Sequence, residues 1–336
     1  MPPAETKKKS SRRRVAAGSH REKLLAKLLR VVLVTIGVSG TIGTTIAIFR
    51  QPSPPPASRT TPSHTPIVLP ANTVVLKSEN RALTEQLAAA AAKQPKLKAT
   101  AFFIDLSTGT YAALDGDRPI QAASTIKIPI AMALMADLDR GKVKKNDLLK
   151  ITKTAIAAGA GDLQSRPVGS SVTIDEALTK MLAQSDNTAA NILIDLLGGN
   201  SALNSRWQEW GFIGTKLVKP LPDFGGTNQT TAREMAQMMA AIAKGKTLTP
   251  ASRDHLLAIA RQATRNTMLP QGLGTGATIA HKTGSINSVV GDVGYIVTPR
   301  GKQYIAAVLV NHPNDTAKAE ALVKEFSRLA YSEFDR

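Results

Sequence analysis

The 336-residue sequence predicts an α/β (α+β) fold: an antiparallel sheet flanked by terminal helices, with an all-helical subdomain inserted between its strands. Three observations carry this. Strand patterns lie near both ends of the region from residue 78 onward, with a long helical stretch between them. The late strands are joined by turns far shorter than a parallel crossover, which needs a dozen or more residues. Amphipathic helical patterns open and close the region, where they can cover one face of a sheet.

Taken in order, the opening helix is alanine-rich and spans 78–93. Strand patterns follow at 100–106 and 110–114, joined by the turn Ser107-Thr108-Gly109. A mainly helical stretch from 124 to 263 includes segments at 148–157, 174–183, 188–197, 201–210 and 231–244. Strand signals return at 279–285, 289–298 and 303–311, the last two separated by Pro299-Arg300-Gly301-Lys302. An apolar-periodic helix at 316–331 closes the chain. A ligand site is expected in the cleft between the sheet and the helical insert.

The region before residue 78 reads differently. Net charge is +18, which invites a nucleic-acid role, but the charges are placed for another purpose. Residues 1–30 hold ten basic side chains, including Lys7-Lys8-Lys9 and Arg12-Arg13-Arg14, against Glu5 and Glu22. The run ends at an uncharged stretch, 31–49, bracketed by Arg30 and Arg50. At ~1.5 Å per residue this stretch spans about the thickness of a bilayer core. A single-pass anchor in the plasma (inner) membrane is expected, with the basic tail (1–30) cytoplasmic and the domain at 78–336 outside. A cleavable signal would need a shorter apolar region and a small-residue site, whereas this stretch runs into Arg50-Gln51-Pro52. The linker, 50–77, contains seven prolines between 51 and 73. It reads as a semi-rigid spacer reaching roughly 70 Å at ~3.1 Å per residue. Nucleic acid is not an expected partner, and the catalytic domain is expected to act as a monomer.

Cysteine is absent, which excludes disulfides and thiolate nucleophiles. The five histidines (His20, His64, His255, His281, His312) never recur at H-x-x-x-H spacing. No metal or other cofactor is expected.

Three short motifs carry chemistry. In Ser124-Thr125-Ile126-Lys127, a helix starting near Ser124 puts Lys127 on the same face as the hydroxyl. A serine hydroxyl needs a base to become a nucleophile, and lysine serves as one when burial lowers its pKa. Lys127 is the only charge between Arg118 and Asp137, and Pro129 should bend the turn that follows. Ser185-Asp186-Asn187 precedes a helix, so it reads either as capping or as a proton-relaying hydroxyl, Ser185, beside an amide-binding Asn187. The strand His281-Lys282-Thr283-Gly284-Ser285 reads either as an exposed edge with a charged gatekeeper or as a carboxylate-binding edge. In the second reading Lys282, Thr283 and Ser285 bind the anion, Gly284 admits a ligand backbone, and the Ser285 N–H supplies an oxyanion donor.

The three motifs in this order, over residues 78–336, resemble the penicillin-recognising serine enzymes, specifically class A β-lactamases and their relatives. The resemblance implies catalytic roles for Ser124, Lys127 and Ser185, and substrate-binding roles for Asn187, Lys282, Thr283, Gly284 and Ser285. It breaks at one loop. Class A β-lactamases carry there a glutamate, in E-x-x-x-N, that activates the deacylating water. Alignment puts Leu221 in place of that glutamate and Gly225 in place of the asparagine, and neither does general-base work. Asp223 is the only carboxylate in the loop and the candidate substitute. No arginine stands on the strand 289–298 to back up carboxylate binding. The expected activity is a serine hydrolase acylated by, and hydrolysing, β-lactam amides. The alternatives are a D-Ala-D-Ala peptidase or esterase acting on peptidoglycan, and a sensor that binds without turnover.

Overall fold

A computed structural model describes residues 74–336. The tail at 1–30, the stretch at 31–49 and nearly all of the linker expected at 50–77 lie outside the described residues. Among the described residues no helix is long and apolar enough to cross a membrane. The packed body includes Val74, four residues ahead of the expected boundary at Ser78. Val74 is 5% exposed in the core, and Lys77 N–H donates to the Gly109 carbonyl at 3.0 Å.

The elements run as follows. Helix α1 (Arg81–Ala92) precedes β1 (Lys98–Asp105), β2 (Tyr111–Leu114) and the short β3 (Ile120–Gln121). A 3₁₀ turn at Ala123–Ile126 leads into α2 (Lys127–Asp139). Strands β4 (Leu148–Lys150) and β5 (Ser171–Thr173) follow, then helices α3 (Ile174–Ala183), α4 (Asn187–Leu196) and α5 (Gly199–Glu209). Strand β6 (Gln229–Thr230) comes before α6 (Ala232–Ala243) and α7 (Pro250–Ala260). The chain ends with β7 (Thr278–Ile286), β8 (Val289–Val297), β9 (Gln303–Asn311) and α8 (Thr316–Phe334).

The main sheet has the order β2-β1-β9-β8-β7, antiparallel throughout. First and last strands therefore meet at its middle, as the split of strand patterns predicts. Period-2 alternation sorts each strand between two cores. From β1, Phe102 and Ile104 face the helical insert, while Ala101 and Phe103 face α1 and α8. From β9, Ile305, Ala307 and Leu309 go one way and Tyr304, Ala306, Val308 and Val310 the other.

One expected helix is not there. Residues 148–157 form β4 and a run of turns, with Leu148↔Thr173, Leu149↔Val172 and Lys150↔Ser171 paired antiparallel. The apolar spacing imitates a helix, but Leu148 is 68% exposed. Tertiary pairing with β5 overrides the local pattern.

Candidate active site

Ser124 sits in the 3₁₀ turn between β3 and α2. The residue before it, Ala123, has φ +45°, a left-handed conformation that costs a non-glycine residue roughly 1–3 kcal/mol. Thr125 ties the turn by donating from Oγ1 to the Ala122 carbonyl at 2.6 Å. The edge strand β7 lies hard against it: a Cβ added to Gly284 would come 3.0 Å from both the Ser124 and Thr125 nitrogens. Glycine at this position is a steric requirement of that approach.

Lys127 opens α2 and is fully buried. Its Nζ lies 2.6 Å from the Ser185 carbonyl, 2.8 Å from Asn187 Oδ1, 3.1 Å from Ser185 Oγ and 3.2 Å from Ser124 Oγ. A neutral amine has two N–H groups and one lone pair. The carbonyl and Oδ1 can only accept, so they take the two N–H groups and leave the lone pair for a hydroxyl. Burial pushes the Lys127 pKa well below the ordinary lysine value, helped by the nearby Lys282 charge and opposed by Asp186. Pro129 falls in the first turn of α2, where a missing N–H costs little; its carbonyl accepts from Trp207 Nε1 at 3.3 Å.

The Ser185-Asp186-Asn187 run caps the helix and also brings Ser185 and Asn187 onto Lys127. Asp186 is the cap: Oδ1 accepts from Ala189 N–H at 2.8 Å, and Oδ2 from Asp162 and Leu163 N–H at 2.8 and 2.9 Å. Ser185 has φ +60°, which turns both its carbonyl and its hydroxyl onto Lys127. Asn187, expected to hold a substrate amide, spends Oδ1 on Lys127, and its Nδ2 donates to the Ala158 carbonyl at 3.0 Å. These contacts orient the lysine, and Asn187 still lines the cleft.

The motif on β7 is not an exposed edge. Lys282 and Thr283 are 2% and 7% exposed, and burial pushes the Lys282 pKa down to about 8, with Asp292 opposing and Arg265 reinforcing the shift. Lys282 Nζ donates to the Thr283 carbonyl at 2.8 Å. Behind it, His281 Nδ1 lies 2.8 Å from Asp292 Oδ1 and its Nε2 3.0 Å from Asn266 Oδ1.

These residues converge on one cleft of about 230 Å³, lined by Ser124, Ser185, Asn187, Lys282, Thr283 and Ser285. The expected loop enters the same cleft through Leu221 and Asp223. Leu221 is 5% exposed and fixed by Asn191, which accepts its N–H at 2.9 Å and donates to its carbonyl at 2.7 Å. Asp223 is 6% exposed, and its loop already uses it: Oδ2 accepts from Asn228 N–H at 2.6 Å and Oδ1 from Thr227 Oγ1 at 3.1 Å. That bonding gives Asp223 a loop-folding role and weakens its case as the deacylating base.

Among the lining residues outside the three motifs are Arg265 and Phe224. Arg265, between α7 and β7, brings the second cation that β8 does not supply; it is also paired with Glu320. Phe224 forms part of the rim. Arg265 had no local signal, because only the tertiary path of its loop brings it beside Lys282. Among the described residues no group of side chains is arranged to hold a metal ion.

Residues 82–334 match the family model described as the Beta-lactamase enzyme family. The chain belongs to that family. Curated members of this β-lactamase family match it in part. A β-lactamase of Rhodobacter capsulatus is 32% identical over 139 residues, 40% of this chain and 47% of that protein. The Pseudomonas aeruginosa β-lactamase CARB-3 is 26% identical over 190 residues, 54% and 65% of the two chains. The alignment thus spans less than two thirds of either relative. Solved structures match more fully. PBP-A is 41% identical with a TM-score of 0.76, covering 78% of this chain and 99% of that one. A leucine-to-glutamate mutant of PBP-A, solved as an acyl-enzyme complex with penicillin G, is similar to the same extent, at 40% identity. A β-lactamase from Sphaerobacter thermophilus is 28% identical with a TM-score of 0.68, covering 75% and 97%.

Proposed function

We propose that this chain is a serine hydrolase acylated at Ser124 by β-lactam amides, and that it releases the acyl group slowly. The observation that carries the proposal is the bonding of one buried amine, Lys127, to both the Ser124 and Ser185 hydroxyls. Neutral Lys127 takes the Ser124 proton as Oγ attacks the lactam carbonyl. The oxyanion lies against the Ser124 N–H, one of the unpaired donors of a helical N-terminus, and the Ser285 N–H. As the C–N bond breaks, Ser185 passes its proton to the ring nitrogen and is reprotonated from Lys127. Lys282, Thr283, Ser285 and Arg265 hold the substrate carboxylate. Hydrolysis of the ester then needs an activated water, and Leu221 offers no base to make one.

Leu221 also favours a second reading, in which the natural acyl donor is a peptidoglycan-derived amide or ester and β-lactams imitate it. Similarity to PBP-A supports this, since a PBP-A mutant is solved with penicillin G attached. The basic tail and uncharged stretch at 31–49 support an anchored, extracytoplasmic placement near such a substrate. A monomeric catalytic domain is part of the same proposal.

Intact mass of the protein mixed with a penicillin tests the acylation. A covalent adduct that persists for many turnovers of a fast β-lactamase is expected, and its absence overturns the proposal. Rapid release of hydrolysed product would overturn slow deacylation alone.

A further inference from the structure

Strand β7 is an edge of the main sheet, and the segment between α7 and β7 passes around that edge from one core to the other. On the helical side, Thr264 N–H donates to the Ala183 carbonyl at 3.0 Å, and Ala183 lines the cleft. On the far side, Leu269 is buried in the core formed with α1 and α8. Its carbonyl accepts there from Ser327 Oγ at 2.7 Å. Arg265 and Asn266 lie between these two anchors.

His281 meets the segment at this point. Side chains alternate along a strand, so His281 and Lys282 point to opposite faces of β7. Lys282 lines the cleft, and His281, 1% exposed, lies behind it. Its Nδ1 faces Asp292 on β8, 2.8 Å from Oδ1 and 3.1 Å from Oδ2, while Nε2 lies 3.0 Å from Asn266 Oδ1. The Asn266 amide is fixed in that orientation, because its Nδ2 donates to the Ala263 carbonyl at 3.2 Å, an atom that only accepts. Nε2 must therefore carry hydrogen. A second proton is shared between Nδ1 and Asp292, and imidazole is the stronger base of the two. Asp292 Oδ2 also accepts the Leu269 N–H at 3.1 Å, which favours the carboxylate. His281 and Asp292 thus form a buried imidazolium–carboxylate pair. The other charges around it are Lys282, which interacts with both Asp292 and Arg265, and Glu320 of α8, paired with Arg265.

We propose that His281, as an imidazolium bridging Asp292 and Asn266, is a positioning residue that holds Arg265 in the cleft. It works from the opposite face of the sheet and touches no substrate. Asp292 takes Leu269 and His281 takes Asn266, so the pair fixes the backbone after Arg265, as Ala183 fixes it before Arg265 through Thr264. Losing the Asn266 tie loosens the segment between Thr264 and Leu269, and Arg265 with it. The inference rests on the acylation reading above, in which Arg265 holds the substrate carboxylate.

Two measurements on the whole protein test this. Long-range proton–nitrogen correlation NMR at neutral pH reads the charge of the ring, with His281→Gln assigning its signals. An imidazolium gives two similar nitrogen shifts and a neutral tautomer two widely separated ones; a separated pair at His281 overturns the proposal. The second measurement is the ratio of acylation constants for benzylpenicillin and its methyl ester, which isolates the carboxylate contact. Asn266→Ala should lower this ratio several-fold, up to the about ten-fold expected from losing a charge-assisted contact. It should lower the ratio no further when Arg265→Gln is already present. An unchanged ratio, or an equal loss with and without Arg265, overturns the positioning role. If benzylpenicillin leaves no adduct on the wild-type protein, the acylation reading fails and this role falls with it.

Discussion

Lys127 Nζ lies 2.8 Å from Asn187 Oδ1, so the first residue of α2 is joined to the first residue of α4 across 60 positions of sequence. The amide is an acceptor that carries no charge. It orients the lysine without favouring the ammonium as strongly as a carboxylate would. Asn187→Asp keeps the shape and adds the charge, and a negative group at this distance raises the lysine pKa. The acylation constant at neutral pH should fall about ten-fold or more, with the acid limb of its pH profile moved upward by at least about one unit. An unmoved acid limb means that Lys127 is not the base.

The alkaline side of the same profile belongs to Lys282. Its pKa is pushed down to about 8, so the free enzyme loses the carboxylate-binding cation as pH rises through that value. Acylation should therefore rise as Lys127 becomes neutral and fall again near pH 8, since second-order constants report the free enzyme. Lys282→Arg, which stays charged throughout this range, should abolish the alkaline fall in a stopped-flow pH series.

Release should be limited by what Leu221 lacks. Leu221→Glu is expected to shorten the life of the adduct by about 10²–10⁴-fold, the usual worth of a positioned general base. Time-resolved intact mass reads this directly. Unchanged release would show that this position does not face the ester.

Arg265→Gln should weaken acylation by penicillins about ten-fold, a charge-assisted contact being worth ~1.5–3 kcal/mol. Acylation by a penicillin methyl ester, which lacks the anion, should lose much less. Equal losses for both would assign Arg265 a folding role through Glu320.

Asp186→Ala removes a helix cap and leaves the N–H groups of Asp162 and Leu163 without their acceptor. A stability loss of about 2–4 kcal/mol is expected from a lost cap plus unsatisfied donors, read as a lower midpoint in urea. A Cβ on Gly161 would sit 2.1 Å from Asp186 Cγ, so Gly161→Ala should cost a similar amount for a steric reason.

The sheet was legible in the sequence because its strands are short apolar runs, buried on both faces, and the late ones are joined by short turns. That Ser124, Lys127 and the β7 motif belong to one cleft was legible because each is a local run. What escaped depends on distant partners. Leu148–Lys150 is a strand only because Ser171–Thr173 lies beside it. Arg265 belongs to the site only because its loop reaches Lys282. For Asn187 the residue was legible and its partner was not, since nothing in Ser185-Asp186-Asn187 points to Lys127.

Leucine at position 221 has an arithmetic consequence. Under the acylation proposal the groups that capture a β-lactam line the cleft, while a leucine stands where a discharging base would be. A protein of this kind removes antibiotic in proportion to its own copy number, one molecule for one molecule, until slow release frees it. Under the acylation proposal, any protection it gives a cell is a titration, and raising expression two-fold should raise the tolerated dose by no more than the drug those extra copies can hold.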